Sequence, residues 1–277
     1  MRLEPDAAGS DAGGMPGLLA DKVLVIIGGT AGLGLSAARA VIAAGGRVVI
    51  VGRDTIDGQA ALAQLGDSAR LLSADATDPG TAPTAIAQAL EAFGRFDGLY
   101  HVAGGSGRSE GDGPLDLLTD SGWDFTLRLN LTSVFYSNRA AVQQFLRQDS
   151  PGAILNCSSV LGLSPSPHFF GTHAYAAAKS AIIGLTRSAA STYAPKRIRI
   201  NALAPGLVAT PMSTRAQQNP EILDFIRSKQ PLDGGRIGNP TDLDAAVVWL
   251  LSSGSEFVTG QVIAVDGGWT VSEGQLP

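Results

Sequence analysis

The sequence predicts an α/β protein: a doubly wound, seven-stranded parallel sheet with helices on both faces. Three observations carry this. Short runs rich in Val, Ile and Leu recur along the chain and alternate with stretches whose apolar residues fall at helical spacing. With 277 residues, 44% hydrophobic and 16% charged, the chain can bury a sizeable core. No break in composition marks a linker, so residues 20–277 read as one domain including the substrate loops.

The first strand is read over 22–27 and breaks at Gly28-Gly29; the second covers 47–51, the third 70–73 and the fourth 98–102. The fifth is read over 153–156, the sixth over 197–200 and the seventh over 261–265. Ala82, Ala85, Ile86, Ala89, Leu90 and Phe93 form one apolar stripe on a helix, as do Leu243, Val247, Leu250 and Leu251. Two long helices are expected near 122–148 and 174–194. Loops 104–120, 160–173 and 204–240 follow strands four, five and six. Ligands of open α/β sheets bind at the carboxyl ends of strands, so these loops are the expected site walls.

Residues 1–19, rich in Gly, Ala and Asp, read as a flexible N-terminal extension without the basic start and apolar block of a secretory signal. A net charge of −5 and a pI near 5.2 give no basic face for nucleic acid. No apolar run approaches the roughly 18 residues of a membrane helix. The lone Cys157 fits a reducing compartment, and the cytoplasm is expected.

After the first strand comes Gly28-Gly-Thr30-Ala-Gly32-Leu33-Gly34, leading into a helix. Glycine lets backbone turn tightly and approach a pyrophosphate, and the helix N-terminus offers amides to it. Such a loop is otherwise an ordinary strand–helix turn; its place between strand and helix favours a Rossmann-type dinucleotide site. Where an acidic residue would meet the ribose hydroxyls of NAD, the second strand ends in Gly52, followed by Arg53. Arg53 either meets the 2′-phosphate of NADP or is a solvated loop residue. NADP is the favoured cofactor, with NAD the alternative.

Tyr175 and Lys179 lie four residues apart, on one face of a helix. A phenol near pKa 10 is a poor base at neutral pH, and a neighbouring ammonium favours its ionised form. Alone, the spacing is that of many surface pairs. Ser158 and Ser159 at the end of the fifth strand add hydroxyls able to meet a substrate oxygen. Neither sits in a Gly-x-Ser-x-Gly elbow, which argues against a serine hydrolase.

These residues resemble the short-chain dehydrogenase/reductase family in its compact single-domain branch, over about residues 20–270. The resemblance rests on the glycine loop, Asp75, Ala103-Gly104, Asn130, Ser159, Tyr175 with Lys179, Pro205-Gly206 and the ending Asp266-Gly-Gly268. It implies reversible hydride transfer between a nicotinamide and a ketone or secondary alcohol, with Tyr175 as general acid or base. Lys179 would lower the phenol pKa and hold the nicotinamide ribose, Ser159 would polarise the substrate oxygen, and Ser158 would be structural. Asn130 would kink its helix and hold a water connecting Lys179 to solvent. Asp75 and the backbone near Ala76 would meet adenine, and Val208 with Thr210 the carboxamide; Ala103, Gly104, Pro205, Gly206 and Tyr175 itself would also contact the cofactor. The family's Asn-Asn-Ala-Gly signature reads His101-Val-Ala-Gly here, and His101 is either a satisfied core histidine or a titrating site residue. The glycine loop lacks its usual leading threonine, and Ala31 stands where many NADP enzymes of the family carry a basic residue.

The substrate walls are the least legible part. Phe169, Phe170 and Met212, with Ile222, Leu223, Phe225 and Ile226, either line an apolar pocket or pack a lid helix onto the domain. A 3-oxoacyl thioester reductase stays open, although Tyr136 stands where acyl-carrier enzymes of the family place an arginine. So does a non-catalytic NAD(P)-binding sensor or scaffold; sugar-nucleotide epimerases fit the glycine spacing less well. No metal-ligand spacing appears among one cysteine and three histidines. The resemblance also implies a homotetramer or homodimer built on the two long helices, with Ala176, Ala177, Ala178 and Ala181 suited to close contact.

Overall fold

A computed structural model describes residues 17–273. Seven parallel strands form one sheet in the order β3-β2-β1-β4-β5-β6-β7. They are β1 (Val23–Ile27), β2 (Arg47–Gly52), β3 (Ala69–Ser73), β4 (Gly98–His101), β5 (Gly152–Cys157), β6 (Ile198–Pro205) and β7 (Val262–Val265). The helices are α1 (Gly32–Ala43), α2 (Thr55–Leu65), α3 (Thr81–Phe93), α4 (Asp120–Leu127), α5 (Ser133–Arg147), α6 (His173–Tyr193), α7 (Thr214–Gln217), α8 (Pro220–Lys229) and α9 (Asp244–Leu251).

The sheet is covered on both faces, which explains the unbroken apolar strands. Leu24 and Ile26 point into a core shared with α1 and α9, while Val23, Val25 and Ile27 point into one shared with α3 and α5. All five side chains of β1 are buried. Removing such a side chain to Ala costs about 2–5 kcal/mol. On the second face Phe96 stacks on Phe145 with ring centroids 4.8 Å apart. The chain leaves β1 toward β2 on one side and returns to β4 on the other. The crevice between these connections opens at the carboxyl ends of the strands.

Three boundaries differ from the sequence reading. Leu19 is fully buried and its amide donates to the Ala44 carbonyl, so the ordered domain begins before it; the extension over 1–16 lies outside the described residues. The helix expected over 122–148 is interrupted by a π-helical turn at Arg128–Thr132. β6 is longer than 197–200 and runs to Pro205, because the polar Asn201 inside it is satisfied by Val258 and Gln261. Among the described residues no helix is long and apolar enough to cross a membrane, and no cluster of three His, Cys, Asp or Glu could hold a metal.

Candidate active site

At the β1 and β2 ends lies a groove of about 690 Å³. Gly28, Thr30, Gly32, Leu33, Gly34, Arg53, Asp75, Ala76, Ala103, Gly104 and Thr210 all border it. Its shape depends on absent side chains. Gly28 has φ +91°, and a Cβ there would stand 2.6 Å from the Ala103 nitrogen; one on Gly34 would stand 1.9 Å from the Gly28 oxygen. The N-cap of α1 is Ala31, with no side-chain cap and no acidic residue in the first turn, so its leading amides are left for an anion. These features fit the pyrophosphate of a dinucleotide.

Gly52 has its own reason to be glycine: a Cβ there would meet Thr30 Oγ1 at 2.2 Å. No acidic side chain fits at that position without moving Thr30. Asp54 caps α2 by accepting the Asp57 amide at 2.9 Å. Arg53 is exposed and stands 3.9 Å from Asp75, a pairing too solvated to hold its guanidinium. Asp75 accepts from the Thr77 amide at 2.8 Å. Burial disfavours the Asp75 charge, but the Thr77 bonds and Arg53 outweigh it and hold the carboxyl below its ordinary value.

The groove opens into a second cleft of about 270 Å³; Leu33, Gly104, Thr210 and Met212 border both. Ser159, Tyr175 and Lys179 line this cleft, with Pro205, Gly206 and Val208 on the far wall. Lys179 Nζ donates to the Cys157 carbonyl at 2.9 Å and lies 5.4 Å from the centre of the Tyr175 ring. Ser158 is structural, its hydroxyl donating to the Lys179 carbonyl at 2.8 Å. Ser159 Oγ accepts from the Leu161 amide at 3.1 Å and faces the phenol. Burial pushes the Tyr175 phenol above its ordinary pKa, and the Ser159 hydrogen bond only partly opposes this. Burial also pushes the Lys179 ammonium down. Desolvation, which disfavours both charges, sets the shift of the phenol, and what opposes it comes from Ser159 and not from Lys179.

Asn130 sits fully buried in the π-helical turn. Its Oδ1 accepts from the Gly105 amide at 3.1 Å, and its Nδ2 donates to the Gly105 and Thr126 carbonyls at 2.9 and 3.0 Å. Both side-chain N–H groups are spent on protein, so the amide nitrogen keeps no donor for the expected water. The helix is interrupted at this residue by the π-helical turn. Gly104 allows the assembly: a Cβ there would meet Asn130 Oδ1 at 2.7 Å and Lys179 Nζ at 3.4 Å.

His101 resolves as a core histidine. Its Nε2 contacts the Ala103 carbonyl at 3.2 Å, which can only accept, so Nε2 carries the proton. Nδ1 then accepts from the Ser137 hydroxyl at 2.7 Å. Burial, with Lys179 nearby, pushes the His101 pKa down to about 3, leaving the ring neutral. It ties the turn after β4 to α5.

Of the expected substrate residues, Phe170 and Met212 border the cleft and Phe169 does not. The Phe169 ring packs on His168 and Phe225 instead, with centroids 4.4 and 5.5 Å away. Ile222 and Ile226 are fully buried with Trp269, so these side chains pack the lid helix α8 onto the domain. Ala178 is also buried within its own domain and is not available for subunit contact, whereas Ala177 and Ala181 are exposed.

Several residues went unread. Asp112 is buried, and its two carboxylate oxygens accept the Ala174 and Tyr175 amides, each at 3.0 Å. Thr172, the N-cap of α6, makes no side-chain cap bond, so Asp112 caps the Tyr175 helix from 62 residues away. Arg108, Arg215 and Trp269 also border the cleft. No local spacing marks any of these.

A family profile described as "Enoyl-(Acyl carrier protein) reductase" matches residues 28–270. The chain is 33% identical over 253 residues to a 2,5-dichloro-2,5-cyclohexadiene-1,4-diol dehydrogenase of Sphingobium indicum, covering 91% of this chain and 98% of that protein. It is 35% identical to 2-(S)-hydroxypropyl-CoM dehydrogenase 3 of Xanthobacter autotrophicus, covering 92% and 99%. A solved short-chain type dehydrogenase/reductase from Mycobacterium ulcerans superimposes with a TM-score of 0.84 at 29% identity, covering 92% and 91%. A Tyr–Lys pair beside a serine-bearing strand end, a glycine-lined groove and relatives matched along their whole length agree: the chain belongs to the short-chain dehydrogenase/reductase family of NAD(P)-dependent oxidoreductases.

Proposed function

We propose that the protein is an NADP(H)-preferring oxidoreductase that interconverts a ketone and a secondary alcohol, with Tyr175 giving or taking the proton. The observation that carries this reading is the convergence of Ser159, Tyr175 and Lys179 in one cleft that opens onto the glycine-lined groove. A dinucleotide in that groove supplies or accepts hydride. Gly28, Thr30, Gly32, Leu33 and Gly34 would hold its pyrophosphate, Asp75 and Ala76 its adenine, and Arg53 its 2′-phosphate. Ala103, Gly104, Pro205, Gly206, Val208 and Thr210 would flank the nicotinamide end.

The chain's own groups then divide the work. Ser159 donates to the substrate oxygen, where negative charge grows during reduction. Tyr175, kept protonated by burial, passes its proton to that oxygen. Lys179, fixed by the Cys157 carbonyl, would turn its remaining donors to the nicotinamide ribose and the phenol. Asn130 sets the distance between the turn at Gly105 and α4. Exposed Trp123, Phe125 and Phe135 on α4 and α5 suit pairing with a second copy, and the buried lone Cys157 suits a reducing compartment such as the cytoplasm. The profile's description, which names an acyl-carrier substrate, favours a second reading, reduction of a 3-oxoacyl thioester at its ketone.

The test is to follow absorbance of NADPH and NADH with a panel of simple ketones and 3-oxoacyl thioesters. Turnover of ketones, faster with NADPH, is expected. Turnover of thioesters alone selects the second reading. Dinucleotide binding with no turnover across the panel leaves the fold standing and moves weight to a substrate outside the panel or to a sensor or scaffold.

A further inference from the structure

Arg108, in the loop after β4, and Arg215, on α7, both border the cleft, are exposed, and meet at one carbonyl. Each donates an Nη2–H to the Phe169 carbonyl at 3.1 Å. A guanidinium has five donors, so most of each fork is left unspent by that bond. Neither has a carboxylate within 4.0 Å among the described residues, a state they share with most of the protein's described arginines. Asp112, near enough to favour the Arg108 charge, spends its own oxygens on α6. A neutral carbonyl cannot offset two cations, and Arg215 is close enough to disfavour the charge on Arg108.

The remainder of the cleft sharpens the contrast. Its lining holds no Asp or Glu although the protein carries a net charge of −5. Leu161, Phe170, Met212 and Trp269 line the same cleft as the arginines, Ser159 and Tyr175 and make much of its wall apolar. Two exposed arginine forks at the edge of a largely apolar cleft match a carboxylate, sulfonate or phosphate group.

We infer that the substrate carries an anionic group at the end remote from its reacting carbon, bound between Arg108 and Arg215. This deepens the oxidoreductase reading and rests on it for the identity of the reacting carbon. Calorimetric binding tests it without turnover, using 4-oxopentanoate, 5-oxohexanoate and 6-oxoheptanoate against their uncharged amides, with and without NADP. At least one acid is expected to bind about tenfold or more tightly than its amide, since charge-assisted bonds are roughly twice as strong as neutral ones. That advantage should shrink as salt is raised and be largely lost in Arg108→Gln and Arg215→Gln. Equal affinity within every pair, or an advantage that survives the double substitution, overturns the inference. Turnover measured in parallel keeps the two readings apart. Preferential binding without reduction retains the anion subsite and rejects the reaction; equal reduction of acids and amides does the reverse.

Discussion

Asp112 is the residue whose loss should couple stability to catalysis most clearly. Its carboxylate closes two amides of the first turn of α6, one of them belonging to Tyr175 itself. Asp112→Asn keeps one acceptor and turns the other into a donor facing a backbone N–H. Losing a hydrogen bond to a charged group costs about 1.5–3 kcal/mol. For a domain of this size each kcal/mol moves Tm by about 2–4 °C, so a fall of about 3–12 °C is expected. The carboxylate also sits at the positive end of the helix dipole, which adds in the same direction. Because the cap sets the start of the helix, Tyr175 shifts with it, and a displacement near 1 Å costs about a hundredfold in rate. Thermal unfolding should therefore be paired with kcat measured well below the transition and with the Kd for NADPH. The dinucleotide groove does not touch Asp112, so Kd should hold while kcat falls. A variant that melts with the parent and turns over at the same rate would refute the cap as the device that positions Tyr175.

Two further outcomes follow from the same geometry. Arg53→Asp should raise the KM for NADPH about tenfold or more and leave NADH favoured, since the guanidinium is exposed and only loosely paired; an unchanged preference in steady-state kinetics would move the phosphate contact elsewhere. The pH profile should differ with direction. Burial holds the Tyr175 phenol above its ordinary pKa of 10.0, so the ionised form needed for alcohol oxidation grows as pH rises toward that value. Oxidation should climb steadily through the alkaline range, while reduction, which uses the protonated phenol, stays level through neutral pH. A level oxidation profile over the same range would assign the base to another group.

The sequence made the scaffold legible because buried parallel strands must be apolar on both faces. The runs around Ile27, Val51 and Ile154 therefore announced themselves, and so did the glycines whose Cβ atoms would strike backbone. Tyr175 and Lys179 were legible for a similar reason: a helix brings residues four apart to one face. Long-range polar contacts leave no such trace. Asp112 finds its helix 62 residues on, and Arg108 and Arg215 meet at a carbonyl contributed by a third segment. Phe169 and Phe170 are neighbours of equal hydrophobicity, yet only Phe170 borders the cleft, a difference fixed by the fold of the loop. The end of β6 was hidden by Asn201, whose amide is satisfied only by residues some 60 positions away.

The central claim is that Tyr175 moves the proton while other residues hold the dinucleotide. Its most direct test is Tyr175→Phe, read as kcat for ketone reduction beside the Kd for NADPH. The account predicts a near-unchanged Kd with kcat down by about a hundredfold to ten-thousandfold, the usual contribution of a positioned proton donor. Turnover retained at the parent rate would contradict it.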